Sequence, residues 1–263
     1  MPIDLGSVQE TMLIPLSIRA NETRRNNARL SDFKAVSITK AMDIDIYKYD
    51  KFMSHEGVVA RTIMFDQEVE YYVKQFPTAT FLNLGCGLDD RFSRVDNGRI
   101  MWYNIDLPDA IALRKNFFEP RRREVIVSSS VLDSDWLKRI IKRGKIIIIA
   151  EGLLMYFNTE EIIHLFHLLS SRFENYILIT ELMSSFFVEN AKYHDALRHT
   201  QAQIKWGTKN GHELTHLYPY LKLIKEESFN AVMRKYSLLG WLFSVLPIIK
   251  QMNNRLAIYQ LEK

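Results

Sequence analysis

The sequence predicts an α/β fold: a Rossmann-like, mostly parallel sheet with helices in front of it. Three observations predict this. Short apolar runs alternate with helix-length amphipathic stretches from about residue 77 to 182. The runs are continuous rather than alternating, Ile146-Ile-Ile-Ile149 above all, as in strands covered on both faces. The first run enters a Gly85-Cys-Gly87 turn, and the second ends on Asp106, 21 residues after Gly85. That distance holds one loop, one helix and one strand, the layout by which an open α/β sheet grips an adenosine-bearing cofactor.

The elements follow in order. Val8–Ala20 has apolar residues at helical spacing, with Pro15 expected to kink or break it. After a polar stretch, Ser31-Asp-Phe33 marks a fresh helix start before Ala35, Ile38 and Met42. Gly57–Phe76 aligns Val58, Val59, Ile63, Phe65, Val69 and Val73 on one helical face, and Pro77 closes it. Strands are expected at Thr80–Leu84, Ile100–Ile105, Arg123–Ser128, Lys145–Ala150 and Tyr176–Glu181, with helices at Pro108–Phe118, Ser134–Lys142 and Thr159–Phe173. Asn158 and Thr159 ahead of Glu160-Glu161 supply capping side chains and an acidic first turn. Ser184–His216 reads as helical and polar. Leu221–Phe229 and Arg255–Leu261 read as an antiparallel edge hairpin, with a helix-like Ser237–Pro247 between them. No internal repeat or linker is visible, so a single domain is expected: a helical cap (1–76), a cofactor-binding core (77–182), and a substrate-side helical insert with edge strands (183–263).

Composition narrows the function classes. A 47% hydrophobic fraction over 263 residues supports a sizeable core. The net charge of +4 sits in local clusters such as Arg121–Arg123, with no basic stripe interleaved with aromatics, so no nucleic-acid partner is expected. The one cysteine, Cys86, excludes an internal disulfide and a cysteine-based zinc cluster, and fits a reducing compartment. Met1–Gly6 has neither the basic start nor the apolar core of a secretory signal. The longest apolar runs, Ile146–Phe157 and Leu238–Ile249, are shorter than the ~20 residues that span a bilayer. A cytoplasmic protein without a membrane partner, monomer or homodimer, is expected. Leu238–Ile249, with Trp241 and Phe243, has the content of an interfacial membrane helix, but its few charges favour a core helix packed on the edge hairpin.

The glycine turn says more. A nicotinamide fingerprint asks for a third glycine where this chain has Asp90. Asp89-Asp90 would repel a pyrophosphate but tolerate a sulfonium and an ammonium, which favours S-adenosylmethionine over NAD; the plain alternative is a tight turn with no ligand. Asp106 closes the second strand where a ribose acceptor is required. Ser128–Asp133 ends the third, where polar and backbone groups can hydrogen-bond an adenine edge, while Asp133 reads better as a helix N-cap. Glu151 ends the fourth strand at the sheet's carboxyl edge, where ligands of open α/β sheets collect.

Gly85-Cys-Gly-Leu-Asp-Asp-Arg91, Ile105-Asp-Leu-Pro-Asp109, Val131-Leu-Asp-Ser-Asp-Trp136 and Ala150-Glu-Gly-Leu-Leu-Met-Tyr-Phe157 together resemble the leucine carboxyl methyltransferase family, in particular its bacterial branch of polyketide O-methyltransferases. Pro15–Ala20 and Asp32–Ala35 look like that branch too; the resemblance covers about residues 10 to 182 and fades over the C-terminal third. It implies a class I methyltransferase fold and S-adenosylmethionine. By position it would give Arg61 the methionine carboxylate, and Gly85, with Cys86 and Gly87, the methionine moiety. Asp106, with Leu107, would take the ribose, Ser130 and Val131 would border the adenine, and Glu151, with Gly152, would take the methionine ammonium or lie beside it. Relatives often carry aspartate where this chain has Ser130. On its own helix Arg61 could instead pair with Asp66 or Glu68.

Methyl transfer is an in-line displacement from a sulfonium, helped by a dry site that aligns the partners. A carboxylate acceptor is already ionised at neutral pH, whereas a phenol needs a base or an electropositive pocket. His55, His194, His199, His212 and His216 are candidate bases or ordinary surface histidines. Glu160, His164 and His167 share a helix side that could hold a metal but also reads as a solvent face, and no metal is expected. Tyr156 is placed to face the acceptor or to pack in the core, Trp206-Gly207 to wall a pocket or end a helix, and Cys86 to fill the turn rather than act as a nucleophile. The expected function is an S-adenosylmethionine-dependent O-methyltransferase acting on a carboxylate or phenolic hydroxyl of a small, polyketide-like molecule. A protein C-terminal carboxyl methyltransferase, a non-catalytic binding protein of the same fold and an NAD oxidoreductase are the alternatives.

Overall fold

The computed structural model describes residues 6–190, 202–236, 238–246 and 253–262. Seven strands share one sheet: β1 (Thr80–Leu84), β2 (Met101–Asp106), β3 (Glu124–Ser128), β4 (Ile146–Ala150), β5 (Asn175–Leu182), β6 (Leu221–Ser228) and β7 (Arg255–Glu262). Their spatial order is β3-β2-β1-β4-β5-β7-β6. The first five run parallel, and β7 lies antiparallel to both β5 and β6. The chain leaves β1 toward β2 and β3, then returns to place β4 on the other side of β1. That reversal makes the carboxyl ends of β1 and β4 the switch point where a ligand crevice opens.

The isoleucine run shows why the parallel strands are continuously apolar. Ile146 and Ile148 join one core cluster with Leu82, Phe166 and Leu169; Ile147 and Ile149 join the opposite one with Phe65, Val69 and Phe81. All four isoleucines are fully buried, each contributing about 1.5–3 kcal/mol of apolar burial. Helix Thr159–Arg172 covers the first face. Its capping box is complete: Glu161 N–H donates to the Asn158 side chain at 2.8 Å, and Asn158 N–H donates to Glu161 Oε2 at 2.8 Å. Helix Phe52–Gln75 covers the second. It starts five residues before the expected Gly57 because Ser54, His55 and Glu56 are buried through polar contacts, which an apolar period cannot register.

Four expectations are corrected. Val8–Ala20 is two helices, Ser7–Glu10 and Leu13–Thr23, and the break falls at Thr11–Met12 rather than at Pro15. Pro15 sits in the first turn of the second helix, where its missing N–H has no intrahelical partner to lose. Ser134–Lys142 is only a 3-10 segment, Asp135–Arg139. Trp136 and Leu137 are buried, Trp136 donates its indole N–H to Val131 O, and Ile140 turns extended (ψ 116°) to re-enter the core. No side chain caps that segment; Ser134 precedes it, so Asp133 is not its N-cap.

Within Ser184–His216 the described residues form helices only at Phe186–Glu189 and from His212 onward, while 202–207 are irregular; His194 and His199 lie outside the described residues. The irregular segment hydrogen-bonds from Lys205 and Trp206 N–H to Met155 O, and Trp206 packs in the main core instead of walling a pocket. Finally, β6 and β7 pair as expected, but the apolar stretch between them exposes several of its described apolar side chains. Helix Leu238–Val245 packs on helix Asn230–Tyr236, and Leu238, Trp241, Leu242 and Val245 are exposed. Pro247 and Ile249 lie outside the described residues. Apolar composition reports a demand for burial, not whether the fold supplies a partner.

Candidate active site

A cavity of about 370 Å³ opens at the carboxyl rim of β1, β2 and β4, inside the range of small-molecule sites. Its floor is the glycine turn. Gly85 and Gly87 have positive φ (66° and 47°), and a Cβ on Gly85 would come within 3.0 Å of Leu153 Cδ1. The turn is held from below by Arg114, fully buried, which donates to Gly87 O at 3.0 Å and to Asp89 O at 2.8 Å. Arg114 in turn donates to Glu124 Oε1, which also accepts from Asn104, so β2 and β3 brace the loop through a buried polar network.

Asp106 sits where β2 ends. Gly87 N–H donates to its Oδ2 at 2.7 Å, and Leu107 N–H to its Oδ1 at 2.8 Å. A carboxylate has about four lone-pair sites, so each oxygen keeps one for a further donor. Burial pushes the Asp106 carboxyl above the usual range, and the two backbone N–H groups offset this only in part. Two hydroxyls bonding to the ionised form would complete what the fold leaves undone.

Beside the turn runs a chain of alternating charges. Glu181 Oε2 accepts from Arg61 Nη1 at 2.9 Å, and Arg61 Nε lies 2.8 Å from Glu151 Oε1. Arg91 donates to Glu151 Oε2 (2.7 Å) and Asp66 (2.6 Å) and lies 2.9 Å from Asp89. Arg94 binds Asp66 and Asp89 and reaches toward Asp32, which pairs with Arg19 at 2.8 Å. Of these groups Asp89, Glu151, Glu181, Arg19, Arg61 and Arg91 line the cavity, so with Asp106 four carboxylates meet three guanidiniums there, an excess of one negative charge. For Arg61, burial opposes its charge, but Glu181 and Glu151 more than offset this and raise its pKa. For Asp89, burial would raise the carboxyl, and Arg91 and Arg94 hold it well below the usual range.

The other half of the cavity is apolar, lined by Met12, Ile14, Met53, Met155, Met183 and Phe187. Tyr156 stands in it with its hydroxyl donating to Thr11 Oγ1 at 3.2 Å; burial pushes the phenol up.

With this geometry in view, the sequence profile described as leucine carboxyl methyltransferase matches residues 18–170, more than half of the chain. The chain belongs to the leucine carboxyl methyltransferase family. It is 27% identical over 228 residues (86% of this chain, 84% of the relative) to the tetracenomycin polyketide synthesis O-methyltransferase TcmP of Streptomyces glaucescens. It is 25% identical over 271 residues (93% and 90%) to the S-adenosyl-L-methionine-dependent methyltransferase dpfgK of Gibberella zeae. In fold it is similar to magnesium protoporphyrin IX methyltransferase from Synechocystis, solved with bound SAH: TM-score 0.53 at 11% identity, covering 88% of this chain and 100% of that one. The sheet order and the antiparallel β7 are those of a class I methyltransferase.

Placed in this leucine carboxyl methyltransferase fold, the sequence-derived residues converge. Arg61, Gly85, Cys86, Gly87, Asp106 and Leu107 all line the one cavity, as do Ser130, Val131, Glu151, Gly152 and Tyr156. Three details differ from expectation. Arg61 pairs with neither Asp66 nor Glu68; its partners are Glu151 and Glu181, 90 and 120 residues away in sequence. Glu151 is already gripped by two arginines. Asp89 and Asp90 are compensated by Arg91, Arg94 and Arg121, so their repulsion of a pyrophosphate is weaker than the sequence suggests.

None of the described histidines lines the cavity. His55 is buried between Asp50 and Glu22, His164 approaches Leu132 O, and His167 lies edge-on to Tyr218. His212 and His216 sit on helix His212–Leu217, off the cavity. Among the described residues no three His, Cys, Asp or Glu side chains are grouped to hold a metal. Burial pushes the Cys86 thiol far up, which suits a filler rather than a nucleophile. Sequence reading missed Glu181, Arg91, Arg114 and Asp66. An acid ending an apolar strand was the available signal for Glu181; the arginines gave none, because their partners are brought in by the fold.

Proposed function

We propose that the protein is an O-methyltransferase that moves a methyl group from S-adenosylmethionine to a carboxylate or phenolic hydroxyl of a small, largely apolar molecule. The observation that carries the reading is the charge balance of the cavity wall. Four carboxylates, Asp89, Asp106, Glu151 and Glu181, against three guanidiniums, Arg19, Arg61 and Arg91, suit a ligand whose net charge is positive, and a diphosphate would meet the wrong sign. When bound, S-adenosylmethionine supplies an electrophilic methyl group on a cationic sulfur.

The chain's own residues do the rest. Asp106 accepts the two ribose hydroxyls on its free lone pairs. Arg61 offers a guanidinium to the donor's carboxylate, and Glu151 an acceptor to its ammonium. Ser130 and Val131 border the base. The apolar half of the cavity, with its four methionines, takes the acceptor's hydrocarbon and keeps water from the attacking oxygen. Tyr156, which lines that half and donates its hydroxyl to Thr11 Oγ1, orients the acceptor oxygen. The polyketide O-methyltransferase among the relatives supports the acceptor class.

Calorimetric titration tests the donor. S-adenosylmethionine and S-adenosylhomocysteine should bind and NAD should not; binding of NAD alone overturns the reading. Incubation with a radiolabelled methyl donor and a panel of aromatic carboxylic acids and phenols tests the acceptor. Label confined to amines or to protein C-termini would refute it.

A further inference from the structure

We infer that helix Leu238–Val245 docks the protein onto an anionic lipid surface. Leu238, Trp241, Leu242 and Val245 occupy positions i, i+3, i+4 and i+7, a single helical stripe. In an ordinary surface helix that stripe faces the core. Here it faces solvent: Leu238 is 83% exposed, Trp241 49% and Leu242 46%, while Gly240 on the other side is buried. Leu246 and Tyr236 extend the apolar patch at its ends. A contiguous exposed patch of this kind marks an interaction site.

Charge selects the occupant. Arg234 and Lys235 border the same shallow groove as Tyr236, Leu238 and Trp241. From Ser228 to Leu261 the sequence has no acid, so none from this segment lies beside Arg234 and Lys235. Leucines and a tryptophan flanked by basic residues match an interface between anionic headgroups and acyl chains. A second copy fits less well. A two-fold contact through this patch would set the basic Arg234 and Lys235 of one copy against the same residues of the other. The segment that carries the docking helix starts and ends at the cavity: Phe229, just before helix Asn230–Tyr236, and Asn253 and Asn254, just before β7, line it. An apolar acceptor dissolved in the lipid would then lie close to the site. The docking itself does not depend on the proposed reaction.

Flotation of the full chain with phosphatidylcholine vesicles, with and without phosphatidylglycerol, tests this. Binding is expected to the mixed vesicles and to fall as salt is raised. Trp102, Trp136 and Trp206 are buried, so a blue shift of tryptophan emission on mixing reports on Trp241. Arg234→Glu with Lys235→Glu should weaken binding on the order of 30-fold or more, from the attraction of two basic residues to an anionic surface. Leu238→Asp with Leu242→Asp should abolish it. Both double variants should bind S-adenosylhomocysteine as the parent does, which separates lost docking from lost folding or a failed donor assignment. Absence of flotation with the mixed vesicles overturns the inference. So does a concentration-dependent dimer in sedimentation velocity that Leu238→Asp with Leu242→Asp dissolves.

Discussion

Replacing Asp106 with asparagine separates binding from stability at one atom. In the parent, Oδ1 and Oδ2 each accept one backbone N–H, from Leu107 at 2.8 Å and Gly87 at 2.7 Å, and each keeps a lone pair for a ribose hydroxyl. In Asp106→Asn one oxygen becomes an NH2 group that faces a backbone donor and can accept nothing. One charge-assisted ribose bond is lost outright, worth about 1.5–3 kcal/mol, and the other becomes a neutral bond weaker by about 1 kcal/mol. Donor affinity should therefore fall by about 2.5–4 kcal/mol, roughly 70- to 1000-fold.

Stability should move far less. The folded pKa of Asp106 is raised, so the folded state holds its proton more tightly than the unfolded chain. The group's contribution then declines as pH rises from the unfolded toward the folded pKa, and at neutral pH its ionised form opposes folding. Asparagine removes that cost while forfeiting one backbone bond, so the unliganded thermal midpoint should change little. Calorimetry with S-adenosylhomocysteine and its 2′,3′-dideoxy analogue is the assay. The parent should discriminate between them strongly, and the variant, left with one neutral ribose bond, much less. Equal affinity of parent and variant for S-adenosylhomocysteine, or an equal loss with the dideoxy analogue, would refute the ribose assignment.

Three further outcomes are expected. Arg61→Met strands Glu151 and Glu181 on the cavity wall and should cost about 3–5 kcal/mol in chemical denaturation; a loss below about 1 kcal/mol would show that Arg91 and Asn254 suffice to hold the two acids. For His55, burial opposes the charged ring, but the hydrogen bonds with Asp50 at 2.6 Å and Glu22 at 2.8 Å prevail and raise its pKa. Its stabilisation is complete below the unfolded pKa of about 6.5 and is lost as pH rises through the higher folded value, so the deficit of His55→Gln should shrink toward alkaline pH; a deficit that grows would reverse the assignment. Cys86 should resist iodoacetamide at pH 8 until the protein is unfolded in guanidinium, because burial holds the thiol protonated; rapid labelling of the native protein would contradict that environment.

The parts of the site that were legible in the sequence share one property: a backbone requirement or a position at the end of a strand announces them. Gly85 and Gly87 are needed by a turn that other residues adopt with strain, and Asp106 and Glu151 close apolar runs whose length gives the strand end away. Arg61 was legible as a residue but not as a contact. Its partners come from β4 and β5, and local spacing pointed to Asp66 and Glu68 instead. Helices were read well where an apolar stripe faces the core, as in Thr159–Arg172, and poorly where burial is polar, as at Ser54–Glu56, or where the stripe faces out, as at Leu238–Val245.

The sequence by itself determined the parallel sheet, its glycine turn and the acid that ends β2, because strand burial and turn geometry depend on residues adjacent in the chain. Only the tertiary structure decided the linked run of charges from Glu181 to Arg19, the bracing of the turn by Arg114, and the exposure of the Leu238–Val245 stripe. Those depend on which elements packing brings side by side, and an ion pair or an uncovered face has no periodicity from which a single chain can announce it.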